Sequence, residues 1–278
     1  MEKWATGVFT SIGEGLGAGL DSVKELGVST VHLHAPDANL RTVEKTAEIK
    51  AQFEEAGIEI SVVFAGFPDD DYTTTDLVKE TVGLVPPDRR ERRLAEIVDI
   101  ADFAYGLGVD AIGMHLGFVP QDPTDPDFTS IVNVTRQVCD HCLTIGLFLH
   151  LETGQETAEE LLTFIHAVDR ENLAVNFDPA NMILYGAGEP LVALDIVGPY
   201  VRSVHCKDAT FQRKPGQPWY EDAPLGQGDV DIKSCLLKLR DLGYEGPLTI
   251  EREYSPDQVR DIKTALELLE NLRREILG

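Results

Sequence analysis

Basic side chains are scarce: 24 Lys and Arg stand against 48 Asp and Glu, a formal charge of −24. Phosphate backbones are bound by surplus Lys and Arg, so this balance argues against a nucleic-acid partner. No apolar run approaches the roughly 20 residues of a membrane span. The opening MEKWATGVFT lacks a basic segment followed by an apolar one. No secretory signal is therefore expected, no membrane partner, and the expected setting is cytoplasmic. Cysteine is sparse too. Cys139 and Cys142 form a lone C-x-x-C around His141, and the other two are Cys206 and Cys235. A zinc site would need a second pair of ligands at a matching spacing, so the pair reads as ordinary helix cysteines and all four as reduced thiols. Also missing is a G-x-G-x-x-G turn. The early GEGLGAG (13–19) has glycines in the wrong order, which weakens the case for an open doubly wound sheet.

What is present suits one large α/β unit. The chain has 278 residues, 43% of them hydrophobic, and an α/β barrel typically needs about 250. Short β-rich runs alternate with longer helical ones. The strand runs are TGVFT (6–10), STVHLHA (29–35), IEISVVFAG (58–66), VDAIGMHLG (109–117), LFLHLE (147–152), LAVNFD (173–178), VRSVHCK (201–207) and PLTIE (247–251). Helical runs between them include RTVEKTAEIKAQFEEAG and TAEELLTFIHAVDR, and the last one carries Val259, Ile262, Leu266, Leu269 and Leu272 on one face. Several helices end at a glycine just before the next strand, as in ELGVSTV, EAGIEI, GLGVDAI, TIGLFL and DLGYEGPL, which suits a left-handed C-cap. Eight strands, each followed by a helix, predict a single (β/α)8 TIM barrel over residues 1–278. Its active site is expected at the C-terminal ends of the strands. Long connections follow the third and seventh strands, at 67–87 and 208–229, and predict a covered pocket on that face.

Strand side chains alternate, so every second one points into a barrel. With Glu152 inward, His150 lies one layer below it. Asn176 and Asp178 share a parity on the sixth strand, and His205 and Lys207 on the seventh; the eighth ends on Glu251. The spacings are 26 residues (152 to 178), 27 (178 to 205) and 46 (205 to 251), one βα unit per side chain. Three carboxylates at one mouth would resist ionisation together. A single divalent cation resolves the conflict, held by Glu152, Asp178, His205 and Glu251. This hard set suits Mn²⁺ first, with Zn²⁺, Mg²⁺ or Co²⁺ as alternatives. Cys206 has the opposite parity.

Here the sequence resembles the xylose isomerase-like barrels of sugar phosphate isomerases and epimerases. The resemblance is carried by LETGQE (151–156), NFDPANM (176–182), SVHCKD (203–208), PLGQGDVD (224–231) and PLTIERE (247–253). It implies a metal on the same four residues and a small-molecule sugar substrate. A homo-oligomer is left open. The family also contains repair endonucleases, which need further histidines for three zinc ions. Where their motif has a histidine three residues after the Asp, this chain has Asn181, and their later Asp-x-His pair has no counterpart in DATFQRKPGQPWY.

The expected chemistry is sugar or sugar-phosphate isomerisation or epimerisation by proton transfer through a metal-bound enediolate. Glu152 and Glu251 are the candidate proton-transfer residues, flanking one carbon from two sides. His115, Lys207, Asn181, Gln155 and His34 are candidate substrate contacts, and Lys207 is also free to pair with Asp208 or Glu253. A Schiff-base lysine is disfavoured, because nearby carboxylates keep Lys207 charged. For a phosphorylated substrate, GQGD (226–229), Arg213 and Lys214 are the candidate anchors. A dehydratase would share the first proton abstraction. A non-catalytic sugar-binding barrel is the third reading.

Overall fold

All eight runs read as strands are strands in the structure, a computed structural model that describes residues 2–12, 18–211, 219, 221–253 and 255–278. They are β1 (Thr6–Ser11), β2 (Thr30–His34), β3 (Glu59–Ala65), β4 (Ala111–Met114), β5 (Phe148–Glu152), β6 (Leu173–Phe177), β7 (Val201–Cys206) and β8 (Leu248–Ile250). Neighbours pair in parallel, and β1 pairs with β8 as well as with β2, which closes a (β/α)8 barrel. Most of the early GEGLGAG run and both Arg213 and Lys214 lie outside the described residues.

Ten α-helices are described: α1 (Leu20–Leu26), α2 (Val43–Ala56), α3 (Thr75–Thr81), α4 (Arg90–Leu107), α5 (Pro126–Thr144), α6 (Ala158–Val168), α7 (Pro179–Tyr185), α8 (Pro190–Val197), α9 (Ile232–Asp241) and α10 (Gln258–Leu277). Their boundaries follow local chemistry. Gly27, Gly57 and Gly108 end α1, α2 and α4 at φ of 69°, 69° and 83°, a conformation strained for other residues. Thr157 and Glu160 close a capping box at the start of α6. On α10, Ile262, Leu269 and Leu272 are buried as expected, but Val259 and Leu266 are only half-buried and Ala265 fills the buried stripe. Among the described residues, no single helix is long and apolar enough to cross a membrane.

Two cores result. Outward strand residues such as Val31, Val63, Ile112, Leu149, Val175 and Ile250 pack under the helices with Ile97, Ile131, Ile165 and Leu269. Cys139, Cys142, Cys206 and Cys235 belong to this layer as buried free thiols. The lumen holds a small separate cluster of Phe9, Val62, Phe64 and Ala111. Gly113 makes room for it: a Cβ there would meet the Phe64 ring at 2.5 Å.

The rest of the lumen is polar, against the usual Val, Ile or Leu filling. His150 Nδ1 lies 2.8 Å from Ser203 Oγ, and that hydroxyl donates to Asn176 Oδ1 at 2.6 Å. Asn176 Nδ2 in turn donates to Glu152 Oε1 at 3.3 Å. Hydrogen bonding between strands makes these buried polar groups tolerable and ties them to the barrel mouth.

Candidate functional site

Each side chain of the expected metal set is placed by its own strand. Glu152 is the last residue of β5, and His205 the last but one of β7. Asp178 and Glu251 lie one residue beyond β6 and β8, so the inward alternation outlasts the ladder. Asp178 also caps α7: its Oδ1 accepts from the N–H of Ala180 (2.8 Å) and of Asn181 (3.0 Å). Its other oxygen, Oδ2, is buried without a hydrogen-bond partner. All four side chains are buried, and each offers a ligand atom within 4.8 Å of the others. Three carboxylate oxygens and an imidazole nitrogen, one of those oxygens orphaned, form a donor set that could hold a divalent ion.

Short contacts hold the group together. His205 Nδ1 lies 2.5 Å from Glu152 Oε1 and 3.2 Å from Glu251 Oε2. Lys207 Nζ donates to Glu251 Oε2 and to Glu253 Oε1, each at 3.2 Å. The expected alternative partner Asp208 is occupied elsewhere. Burial pushes the Asp178 carboxyl up to about 8, with Glu152 and Glu251 adding to the rise and Lys207 opposing it. Burial also works against ionised Glu152, but His115 and His205 outweigh it and hold the carboxyl at about 2. For Glu251, Lys207 and His205 overcome burial in the same way. Burial disfavours a charged His205, yet Glu251 and Glu152 lift it to about 10.

Above this group opens a cavity of about 360 Å³ lined by His34, His115, Glu152, Asn181, Lys207 and Glu251 among others. Four of the five expected substrate contacts are therefore brought together. Gln155 is the exception: it sits behind His115, with its amide 3.2 Å from His115 Nδ1. His115 Nε2 reaches Glu152 Oε2 at 2.9 Å. Glu156, assigned no role from sequence, lines a separate smaller cavity with Phe128 and Phe164.

The sequence reading missed the aromatic walls, which include Phe64, Phe67, Tyr72, Tyr185 and Trp219. Trp219 Nε1 donates to the Tyr72 carbonyl at 3.0 Å, so the two long connections meet at the cavity. It also missed His32, and Asp37, Arg41 and Glu96 in the cavity wall, while Glu253, named as a partner for Lys207, is found in that role. Only the long loops signalled such a wall.

The GQGD turn is not an open anion cradle. The N–H groups of Gly226 and Gly228 both donate to Asp208 Oδ2 at 2.9 Å, and those of Val230 and Ala209 to its Oδ1. The anion it binds is the chain's own carboxylate.

The family model for the xylose isomerase-like TIM barrel matches residues 20–272. The chain belongs to that family. A xylose isomerase domain protein from Planctomyces limnophilus is 46% identical, with a TM-score of 0.95 and 99% of each chain covered. A D-tagatose 3-epimerase-like protein shares the fold at 19% identity and a TM-score of 0.75, covering 98% of this chain and 99% of that one. Inosose dehydratase of Klebsiella pneumoniae is 23% identical over 215 residues, 66% of this chain and 72% of that protein. The chain spans about half the length of the first curated relatives it matches. Family membership thus comes with both epimerase-like structural neighbours and dehydratase relatives.

Proposed function

We propose that this family member is a divalent-metal-dependent sugar epimerase or aldose–ketose isomerase, with the whole chain acting as one barrel domain. One observation carries the reading: Glu152, Asp178, His205 and Glu251 converge, buried, beneath a cavity, with Asp178 Oδ2 left without a hydrogen-bond partner. A divalent ion on these four, Mn²⁺ being our first choice, would polarise a carbonyl or hydroxyl oxygen and acidify the adjacent C–H.

The side chains then divide the proton work. Glu152, kept ionised by His115 and His205, accepts the proton from the carbon beside the carbonyl. Glu251 serves the other side, and the Lys207 ammonium 3.2 Å from its Oε2 supplies the proton it returns. Return to the same carbon on its other face is epimerisation; return to the neighbouring carbon is isomerisation. Asn181, whose Nδ2 has no hydrogen-bond partner, presents a donor to a sugar hydroxyl, His115 orients Glu152, and the aromatic walls cover C–H faces and exclude water.

The lining favours an uncharged sugar over a phosphate ester. Asp37, Asp70, Glu96 and Glu253 add to the two glutamates in the cavity wall. Among the described residues its Lys and Arg side chains are engaged: Lys207 by two glutamates, and Arg41 by Asp99 at 2.7 Å and Glu96 at 3.6 Å. The dehydratase relatives support a second reading, in which the same abstraction by Glu152 is followed by loss of water. Incubating free and phosphorylated ketoses and keto-polyols with the Mn²⁺-loaded protein in D2O decides. Metal-dependent deuterium at the carbon beside the carbonyl supports the proposal, and a dehydrated product favours the second reading. Turnover without solvent label, or no exchange with any compound, contradicts both.

A further inference from the structure

One buried histidine has no role in the chemistry above. His32, on β2, is fully enclosed in the lumen, stacked at 5.4 Å on the ring of Phe64. Its Nδ1 lies 3.0 Å from His205 Nε2, across 173 residues of sequence. Its other nitrogen, Nε2, is buried with no partner at all. An orphaned buried ring N–H is destabilising, and an apolar ring would fill the same space without that loss. What His32 supplies must therefore be at Nδ1.

The two ring nitrogens of His205 face different surroundings. Nδ1 faces the carboxylates: Glu152 at 2.5 Å, Glu251 at 3.2 Å and Asp178 at 3.9 Å. Among the described residues, Nε2 has His32 alone as a hydrogen-bond partner. A ligand nitrogen must carry a free lone pair, so a cation among the carboxylates requires the proton of neutral His205 to be on Nε2. That N–H needs an acceptor. Contact of two N–H groups is repulsive, so His32 can accept only as the neutral tautomer with its own proton on the orphaned Nε2. The orphan is thus what the arrangement requires. Phe9 at 5.5 Å and Phe64 at 4.8 Å, ring centre to ring centre, hold the His205 ring against turning over.

We infer that His32 is a positioning residue that fixes the tautomer and ring orientation of His205, and so readies Nδ1 for a metal. The inference rests on the metal reading proposed above, but its test separates the two. Outer partners of ligating histidines typically contribute about 10–100-fold in metal affinity. His32→Leu removes the acceptor; His32→Asn keeps an oxygen close to where Nδ1 lies. In Mn²⁺ titrations followed by calorimetry, His32→Leu should bind about 10–100-fold more weakly, and His32→Asn should recover most of the loss. A general packing defect would not show that rescue. In the Mg²⁺-loaded wild type, long-range ¹H–¹⁵N correlation should find the His205 proton on Nε2, a reading that needs no variant to fold. Neutral His205 with its proton on Nδ1, or His32→Leu binding Mn²⁺ as tightly as wild type, overturns the inference. A wild type that binds no divalent ion defeats instead the reading beneath it.

Discussion

His115 Nε2 meets Glu152 at 2.9 Å through Oε2, the carboxylate oxygen that His205 does not touch. The two imidazoles therefore grip Glu152 from its two oxygens, and Gln155 backs His115 from behind. Of the two, only His115 lines the cavity and stands outside the proposed metal set, so it can be replaced without deleting a ligand. His115→Leu should leave metal content unchanged. Hydrogen bonds to charged groups contribute about 1.5–3 kcal/mol, so kcat/KM should drop about 10–100-fold. Steady-state kinetics beside elemental analysis check this, and loss of metal in this variant contradicts the division of roles.

Lys207 is bracketed by Glu251 and Glu253. Lys207→Met leaves both carboxylates without their cation and deprives Glu251 of its proton source. General acid–base groups contribute about 10²–10⁴-fold, so kcat should fall within that range while the fold persists. If Lys207 only neutralises charge, KM or metal affinity will change and kcat will not.

The lumen network makes a separate prediction about stability. Ser203 links His150 to Asn176, and Asn176 links onward to Glu152. Ser203→Ala orphans two buried groups at once, and each buried unsatisfied group costs about 1–3 kcal/mol. Urea denaturation should show a loss of that order, with near-normal metal binding. A variant as stable as wild type would show the network to be dispensable.

The metal-free protein should lose stability as the medium becomes alkaline. Burial raises Asp178 from its ordinary 3.8 to about 8, while carboxylates raise His205 to about 10 and His115 to about 9. A raised folded-state value means the folded chain holds a proton that the unfolded chain has released. Such a group contributes fully below its unfolded value and loses that contribution as pH climbs through the folded one. From about pH 7 to pH 8 all three act in this direction, and from pH 8 to pH 9 the two histidines continue it. A bound cation requires Asp178 and the Nδ1 of His205 to be deprotonated, so the Tm gain from added Mn²⁺ should widen over that range. Thermal scans with chelator and with Mn²⁺ measure it, and a gain that narrows as pH rises is the contrary result.

The fold and the four clustered side chains were legible in the sequence because both follow from short-range periodicity. Alternation on parallel strands put Glu152, Asp178, His205 and Glu251 on one face, once per βα unit, and closure of the barrel did the rest. His32 was not legible, since its role depends on His205 across the lumen and no spacing along the chain encodes that approach. The place of Gln155 behind His115 was not legible either, since it lies in the loop after β5, where strand alternation no longer directs a side chain. The GQGD turn has the glycines of an anion cradle, and nothing local reveals that Asp208 already occupies it. Trp219 and Tyr72 belong to loops, where composition gives no direction for a side chain.

The central claim is that Glu152, Asp178, His205 and Glu251 together hold one divalent ion. Asp178→Asn tests it most directly, because it keeps the size of the side chain and a cap for α7 while replacing the carboxylate whose Oδ2 has no hydrogen-bond partner. The measurement is metal content per chain, after removal of ions with chelator, equilibration with Mn²⁺ and desalting. The account predicts close to one equivalent in the wild type and a large loss in Asp178→Asn. A wild type that retains no metal, or an Asp178→Asn protein that retains as much as the wild type, would contradict it.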